Sequence, residues 1–150
     1  MAIQTDLAAL FRRDLSRLIQ ELEAFDDEDG LWKKAEGITN SAGNLCQHLV
    51  GNLQHFIGAM LGESGYVRDR DSEFASKNSS KEELLEEIDA TLAVVKKTIG
   101  KLDDDDFAKT YPIEVFGKPI TTGFFLTHLT THFNYHLGQI NYHRRLLAKA

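Results

Sequence analysis

The sequence has little of several features that define other classes of protein. It contains one cysteine, Cys46, which excludes an intramolecular disulfide and a cysteine-rich zinc site. Its apolar runs are far shorter than the roughly 18–20 residues that span a membrane. Its N-terminus places charged residues where a signal peptide has an apolar core. We therefore expect no membrane partner and a location in the reducing cytoplasm.

Clusters of basic residues are also scarce. The net charge is −6, and lysines and arginines occur at most as adjacent pairs, such as Arg144 and Arg145. Because nucleic-acid binding needs a basic face, we expect no nucleic acid as a partner. The length of 150 residues and a hydrophobic content of 42% suit one globular domain over residues 1–150.

Only two prolines are present, Pro112 and Pro119, and both lie in one predicted loop. The proline-free stretches on either side allow long helices. In four of these stretches apolar residues recur every three or four positions, which is typical of amphipathic helices. The predicted helices run from Ile3 to about Phe25, from Asn40 or Ser41 to about Leu61, from Ser79 or Ser80 to about Leu102, and from Thr121 or Thr122 to about Leu147.

Four such helices predict an all-α four-helix bundle. The acidic runs at residues 26–29 and 103–106 are interpreted as the ends of the first and third helices, since negative charge disfavours a helix C-terminus, and Gly30 is interpreted as a stop. The connections after the second and third helices exceed the about two to eight residues of simple neighbours, so at least one can cross the bundle. Residues 111–121 predict a short loop or hairpin around Gly117.

All six histidines fall in the second and fourth predicted helices. In the fourth helix, the spacing places His132, His136 and His143 on one face. Phe125 and Ile140 share this face, so the imidazole rings are expected to point into the bundle. Buried imidazoles need hydrogen-bond or metal partners.

Two histidines four residues apart on a helix supply two ligands of a helical metal site, and another helix must supply a third. In the second helix, His48 lies on an edge with Asn52 and His55 that can face the fourth helix. Three imidazoles suit zinc, nickel, copper or iron better than calcium or magnesium. Three protein ligands also leave a position for water or substrate.

Two other metal sites are excluded or disfavoured. A carboxylate-bridged di-iron bundle needs a glutamate three residues before a histidine, and none of the six histidines has one. Cys46 lies about 160° from His48 around the second helix, so it is interpreted as a packed, inert thiol.

Residues 44–53, NLCQHLVGNL, and residues 131–140, THFNYHLGQI, resemble the DinB/YfiT-like superfamily. Residues 66–74, YVRDRDSEF, are similar to one of its small uncharacterised branches. The resemblance implies an up-down-down-up bundle with a crossover between the second and third helices, and commonly a homodimer. It also implies a divalent metal site formed by His48, His132 and His136.

The resemblance implies a possible enzyme as well. Characterised members of the superfamily are metal-dependent transferases that use a low-molecular-weight thiol, and a thiol-dependent maleylpyruvate isomerase. A zinc or nickel ion would activate the thiol, and a small-molecule thiol or electrophile would be the partner. Asn52, Gln139 and His143 are candidates for hydrogen bonds to a ligand beside the metal. Arg68 and Arg70 would bind a carboxylate substrate or form local salt bridges with neighbouring acidic residues.

Two alternatives remain open. The first is a non-catalytic bundle, stabilised by the metal, that acts as a binding or stress-response scaffold; a fourth ligand such as His55 or His128 would favour it. The second is a metal-free bundle whose histidines only form hydrogen bonds. Metal analysis of protein purified without a histidine tag separates the second alternative from the others.

Overall fold

The computed structural model describes residues 2–76 and 79–148, and these are helical or irregular with no strand. The prediction of an all-α protein is confirmed. The helices are α1 (Ala2–Glu23), α2 (Glu28–Trp32), α3 (Ala42–Leu53), α4 (Met60–Gly62), α5 (Arg70–Ala75), α6 (Lys81–Gly100), α7 (Asp104–Ala108) and α8 (Thr122–Leu147), and a π-helical turn, Gln54–Ala59, joins α3 to α4. No described helix is both long and apolar enough to cross a membrane.

Helix α1 packs against α6 and α8. Its buried apolar residues follow the predicted spacing and are Leu7, Phe11, Leu15, Leu18 and Leu22. The Gln4 amide at the start of α1 donates to the carbonyls of Ile99 and Leu102 at 2.8 and 2.7 Å. At the other end, Lys81 Nζ donates to the Phe25 carbonyl at 2.8 Å. Helices α1 and α6 therefore run antiparallel.

Helix α8 packs against α1 and α3. Asp14 and Glu21 of α1 pair with Asn134 and Arg144 of α8, in the same order along both helices, so α1 and α8 are parallel. In α3 and the turn after it, His48 meets His132. The Phe56 ring lies 5.0 Å from the Phe125 ring. The chain runs forward from His48 to Phe56, whereas their partners on α8 run backward from His132 to Phe125. Helices α3 and α8 are therefore antiparallel, and their histidines lie opposite one another.

The second predicted helix does extend to Gly62, close to its expected end at about Leu61, but it is not α-helical throughout. A π-helical turn at Gln54–Ala59 interrupts it and contains His55. Such a turn inserts an extra residue into the helical repeat and rotates everything beyond it. The turn is held from outside by Tyr111, whose hydroxyl donates to the Phe56 carbonyl at 2.6 Å. Hydrophobic periodicity alone does not reveal this insertion.

The interpretation of the acidic runs as helix ends is wrong in part. Helix α1 ends at Glu23 and α6 at Gly100, and each acidic run begins a short new helix. Asp27 caps α2 by accepting from Gly30 N at 2.8 Å, so Gly30 lies inside a helix instead of stopping one. Negative charge stabilises the first turn of a helix, which is the physical reason for this outcome.

The loop between α7 and α8 contains a single antiparallel bridge, between Thr110 and Thr121. Tyr111 N donates to the Ile120 carbonyl at 2.8 Å. Pro112 lies two residues after Thr110, and Pro119 lies two residues before Thr121. Because proline has no N–H, the ladder does not extend into the predicted hairpin.

Candidate metal centre

Three histidine rings meet between α3 and α8. One ring nitrogen from each of His48, His132 and His136 lies within 4.8 Å of the others. His48 Nε2 and His132 Nε2 are 3.2 Å apart. The ring centroid of His136 lies 4.7 Å from that of His132 and 5.1 Å from that of His48. No further histidine, cysteine or carboxylate joins this group in the described part of the chain.

Local sequence explains why each helix presents its histidines there. Ser41 caps α3 by accepting from Asn44 N, which fixes where that helix begins. On α8, the buried residues Phe133 and Leu137 each follow a histidine of the group and anchor the helix in the core. The antiparallel crossing of the two helices then brings His48 opposite the pair on α8.

Glu73 holds the ring of His48 from behind. Its Oε1 accepts from His48 Nδ1 at 3.1 Å, and Arg68 donates to both carboxylate oxygens at 2.8 and 3.0 Å. Burial opposes ionisation of Glu73, but the hydrogen bonds from His48 and Arg68 outweigh it, so the pKa of Glu73 lies below its ordinary value. A carboxylate that accepts from Nδ1 leaves the Nε2 lone pair of His48 free for a metal.

Helix α5 is docked on α3 so that Glu73 reaches His48. The Asn44 side chain donates to the Glu73 and Ser76 carbonyls at 3.2 and 3.0 Å, and the Gln47 side chain donates to the Glu73 carbonyl at 3.1 Å. Gly51 makes room for the carboxylate, because a Cβ at that position would lie 1.9 Å from Glu73 Oε2. The glycine thus permits the close approach of the two helices.

Sequence reasoning missed this role of Glu73. It treated Glu73 only as a local ion partner of the neighbouring arginines, and that interpretation does describe Arg68. The available signal was the segment YVRDRDSEF itself. In it, Arg68 precedes the start of a short helix and Glu73 lies within that helix. Nothing in one sequence tells which distant histidine they contact.

The other two histidines of the group also leave Nε2 free for a metal: His132 faces His48 through Nε2, and His136 uses Nδ1 for a hydrogen bond. His136 Nδ1 donates a hydrogen bond to Gln139 Oε1 at 2.7 Å. Burial lowers the pKa of His136, the Gln139 bond opposes this, and His48 lowers it further. Burial and the nearby His136 and His48 lower the pKa of His132 to about 4. Both imidazoles are therefore neutral at neutral pH, the form that binds metals.

The remaining candidates lie around this group. His143 Nε2 donates to the Lys33 carbonyl at 2.9 Å. It also lines a cavity of about 470 Å³ together with His136 and Gln139, which we call the Gln139 cavity. Asn52 lines a second cavity of about 240 Å³, which we call the Asn52 cavity, beside His48 and His132.

Neither suggested fourth ligand joins the group. His128 stacks on Phe125 with ring centroids 6.0 Å apart, and His55 meets the Phe56 ring edge-on at 4.8 Å. Cys46 is fully buried, and burial raises the pKa of its thiol. It is therefore a packed thiol, as the sequence indicated.

The spacing of His48 Nε2 and His132 Nε2 fits a transition metal. Zinc binds imidazole nitrogen at about 2.0–2.1 Å, which places two ligands of a tetrahedral site about 3.3 Å apart. The 3.2 Å separation of His48 Nε2 and His132 Nε2 matches this spacing. Two unprotonated nitrogens at that distance repel each other unless a cation or a proton lies between them. His132 Nδ1 is buried without a hydrogen-bond partner among the described residues.

The helical fold of this chain is similar to that of three solved structures, two of them described as DinB-like. A conserved protein from Enterococcus faecalis is 16% identical, with 97% of each chain covered and a TM-score of 0.77. The DinB-like protein YjoA from Bacillus subtilis is 15% identical over 95% of this chain and 92% of its own, with a TM-score of 0.69. A DinB-like protein from Bacillus cereus is 16% identical over 90% and 86%, with a TM-score of 0.66.

The chain belongs to the family described as "Protein of unknown function (DUF1572)", which matches residues 6–150. A comparison with curated proteins found no match. The likeness to the solved structures establishes the fold.

Proposed function

We propose that His48, His132 and His136 bind a divalent metal, zinc or nickel, and that the site transfers a low-molecular-weight thiol to a small electrophile. The observation that carries the proposal is the convergence of three ring nitrogens within 4.8 Å, with no fourth protein ligand in the described ranges. A three-ligand site leaves a position for an exogenous group, whereas a structural site is usually closed by four ligands.

The residues around the site support a chemical role. Glu73 and Gln139 orient two of the imidazoles through their Nδ1 atoms. When bound there, the metal would lower the pKa of a thiol and keep its sulfur deprotonated at neutral pH. The two cavities that adjoin the histidines provide separate spaces for two reactants. No cysteine of the chain is needed as nucleophile, which agrees with the burial of Cys46.

Conjugate addition illustrates the reaction. The S–H bond of the thiol breaks and its proton passes to solvent. The sulfur lone pair forms a bond to the β-carbon of an unsaturated carbonyl compound, the electron pair of the C=C bond moves to the α-carbon, and that carbon takes up a proton from solvent. The step needs no oxidant and no leaving group, and the half-buried site limits competition from water.

The test combines metal analysis with activity. We expect untagged protein to retain close to one zinc or nickel ion per chain after dialysis. Metal-loaded protein should accelerate addition of glutathione, bacillithiol or mycothiol to an unsaturated carbonyl compound, and His136→Ala should remove the acceleration. If metal binds but no thiol reacts faster than in buffer, the transferase proposal fails and the metal-stabilised scaffold replaces it.

We also propose a homodimer, on the basis of the resemblance and of exposed apolar side chains on α8. Tyr135, Tyr142 and Leu146 are each more than half exposed and recur at helical spacing along that helix. Sedimentation equilibrium at micromolar concentration should give twice the monomer mass of 16.9 kDa. Tyr142→Glu should shift this mass toward the monomer. A monomeric wild-type protein would contradict the proposal.

A further inference from the structure

The Asn52 cavity lies against the histidine group and is lined by polar residues that the metal does not explain. His48 and His132 form one wall, while His136 does not reach it. Its volume of about 240 Å³ corresponds to about eight water molecules at 30 Å³ each. This is less than the roughly 300–1,000 Å³ of pockets for drug-sized ligands, so its ligand is small.

The side-chain oxygen of Asn52 is a hydrogen-bond acceptor without a donor among the described residues. The residue is only 6% exposed, and its Oδ1 has no hydrogen-bond partner within the described ranges. An amide oxygen can only accept a hydrogen bond, and burying it without a donor is costly. Asn52 lines the cavity, and a ligand N–H or O–H group that reached its side-chain amide would satisfy this oxygen.

Arg70 provides a positive charge that no ion pair neutralises within the described part of the chain. Two arginines line the cavity, Arg68 and Arg70. Arg68 is used by Glu73. Arg70 forms no ion pair with any residue that the structure describes, and its guanidinium lies over the Phe74 ring, 5.4 Å from the centroid. A guanidinium in this position is suited to bind a carboxylate through two parallel hydrogen bonds.

The rest of the wall is mainly apolar, with Phe56, Phe125 and Leu129 facing the same space beside the ring of His128. We propose that the Asn52 cavity binds a small carboxylate that also carries an N–H or O–H donor, with the carboxylate on Arg70, the donor on Asn52 Oδ1 and a short carbon skeleton between the aromatic rings. Its role as the electrophile that receives the thiol rests on the proposed function, but its binding does not.

Three matched, unreactive probes test the assignment. Succinamate has both a carboxylate and an amide N–H, succinamide lacks the carboxylate, and monomethyl succinate lacks the donor. Each is titrated into metal-free protein, where no metal can capture the carboxylate, and binding is followed by amide chemical shifts. We expect succinamate to bind roughly 10-fold or more tightly than either of the others, because it alone satisfies both groups.

Two variants assign the two contacts. Arg70→Gln should weaken succinamate and monomethyl succinate by roughly 10- to 100-fold and leave succinamide unchanged. Asn52→Leu should weaken succinamate and succinamide and leave monomethyl succinate unchanged. The leucine keeps the approximate volume and removes a buried polar group, so thermal unfolding should show an intact fold. Arg12→Gln, remote from the cavity, is the control for loss of one positive charge.

Several results would overturn the assignment. The absence of succinamate binding at its solubility limit would do so, as would binding that is equally affected by Arg12→Gln and Arg70→Gln. Equal affinity for all three probes would show a merely apolar cavity. Because these titrations need neither metal nor thiol, they can succeed where the transferase assay fails, and the two proposals are tested separately.

Discussion

Replacing His132 with alanine is expected to lower zinc affinity by at least about 100-fold, and His48→Ala and His136→Ala should do the same. The loss should exceed the about 10- to 100-fold that follows removal of a group supporting a ligand, because each substitution deletes one of only three ligands. The measurement is a zinc titration against a competing chelator of known affinity, on protein without a histidine tag.

Thermal unfolding gives an independent readout of the same effect. Zinc at 100 times its dissociation constant stabilises a folded protein by about 2.7 kcal/mol. In a domain of this size that raises Tm by about 5–10 °C. The shift should be absent from the three alanine variants. His55→Ala and His128→Ala are the controls, since neither ring joins the group, and both should keep the full shift. If all five variants respond alike, zinc binds elsewhere.

Replacing Gly51 with alanine is expected to damage the metal centre without touching a ligand. The new Cβ would lie 1.9 Å from Glu73 Oε2, so the carboxylate must move away from His48 and Arg68. Loss of this support should weaken zinc binding by about 10- to 100-fold. Forcing the side chains apart should also lower the free energy of unfolding by about 1–3 kcal/mol.

Two further variants show which effect of Gly51→Ala changes zinc affinity and stability. Gly138→Ala lies on α8 with nothing within 4 Å of its Cβ, so it should raise stability by about 0.5–1 kcal/mol and leave zinc affinity unchanged. Glu73→Gln keeps the shape and removes the charge, which separates electrostatic support from steric displacement. A Gly51→Ala protein with wild-type zinc affinity and stability would refute the proposed dependence of His48 on Glu73.

The long helices could be predicted because each carries its own signal. The buried leucines of α1 repeat at the period of the helix, and the caps Ser41, Ser80 and Thr121 stand where hydroxyl groups satisfy the first free N–H groups. The short helices α2 and α7 were missed because an acidic run is compatible both with the end of one helix and with the start of the next. Local charge alone does not decide between them.

The pair His132 and His136 was also determined by the sequence, since residues four apart on a helix share a face in any bundle. The resemblance to DinB-like sequences supplied the third member, His48. Helix spacing by itself had left His48 and His55 on one edge, because neither the crossing of α3 over α8 nor the π-helical turn is encoded in a single periodicity.

Tertiary structure alone decided what surrounds these rings. Glu73 and His48 are 25 residues apart, and they meet only because Asn44 and Gln47 dock α5 on α3 while Gly51 leaves room for the carboxylate. The difference between Arg68 and Arg70 arises in the same way, from which guanidinium reaches that carboxylate. A sequence pattern determines which face of its own helix a side chain occupies. The contact across helices depends on packing angles and on the space left by neighbours, which are set only when the whole core assembles.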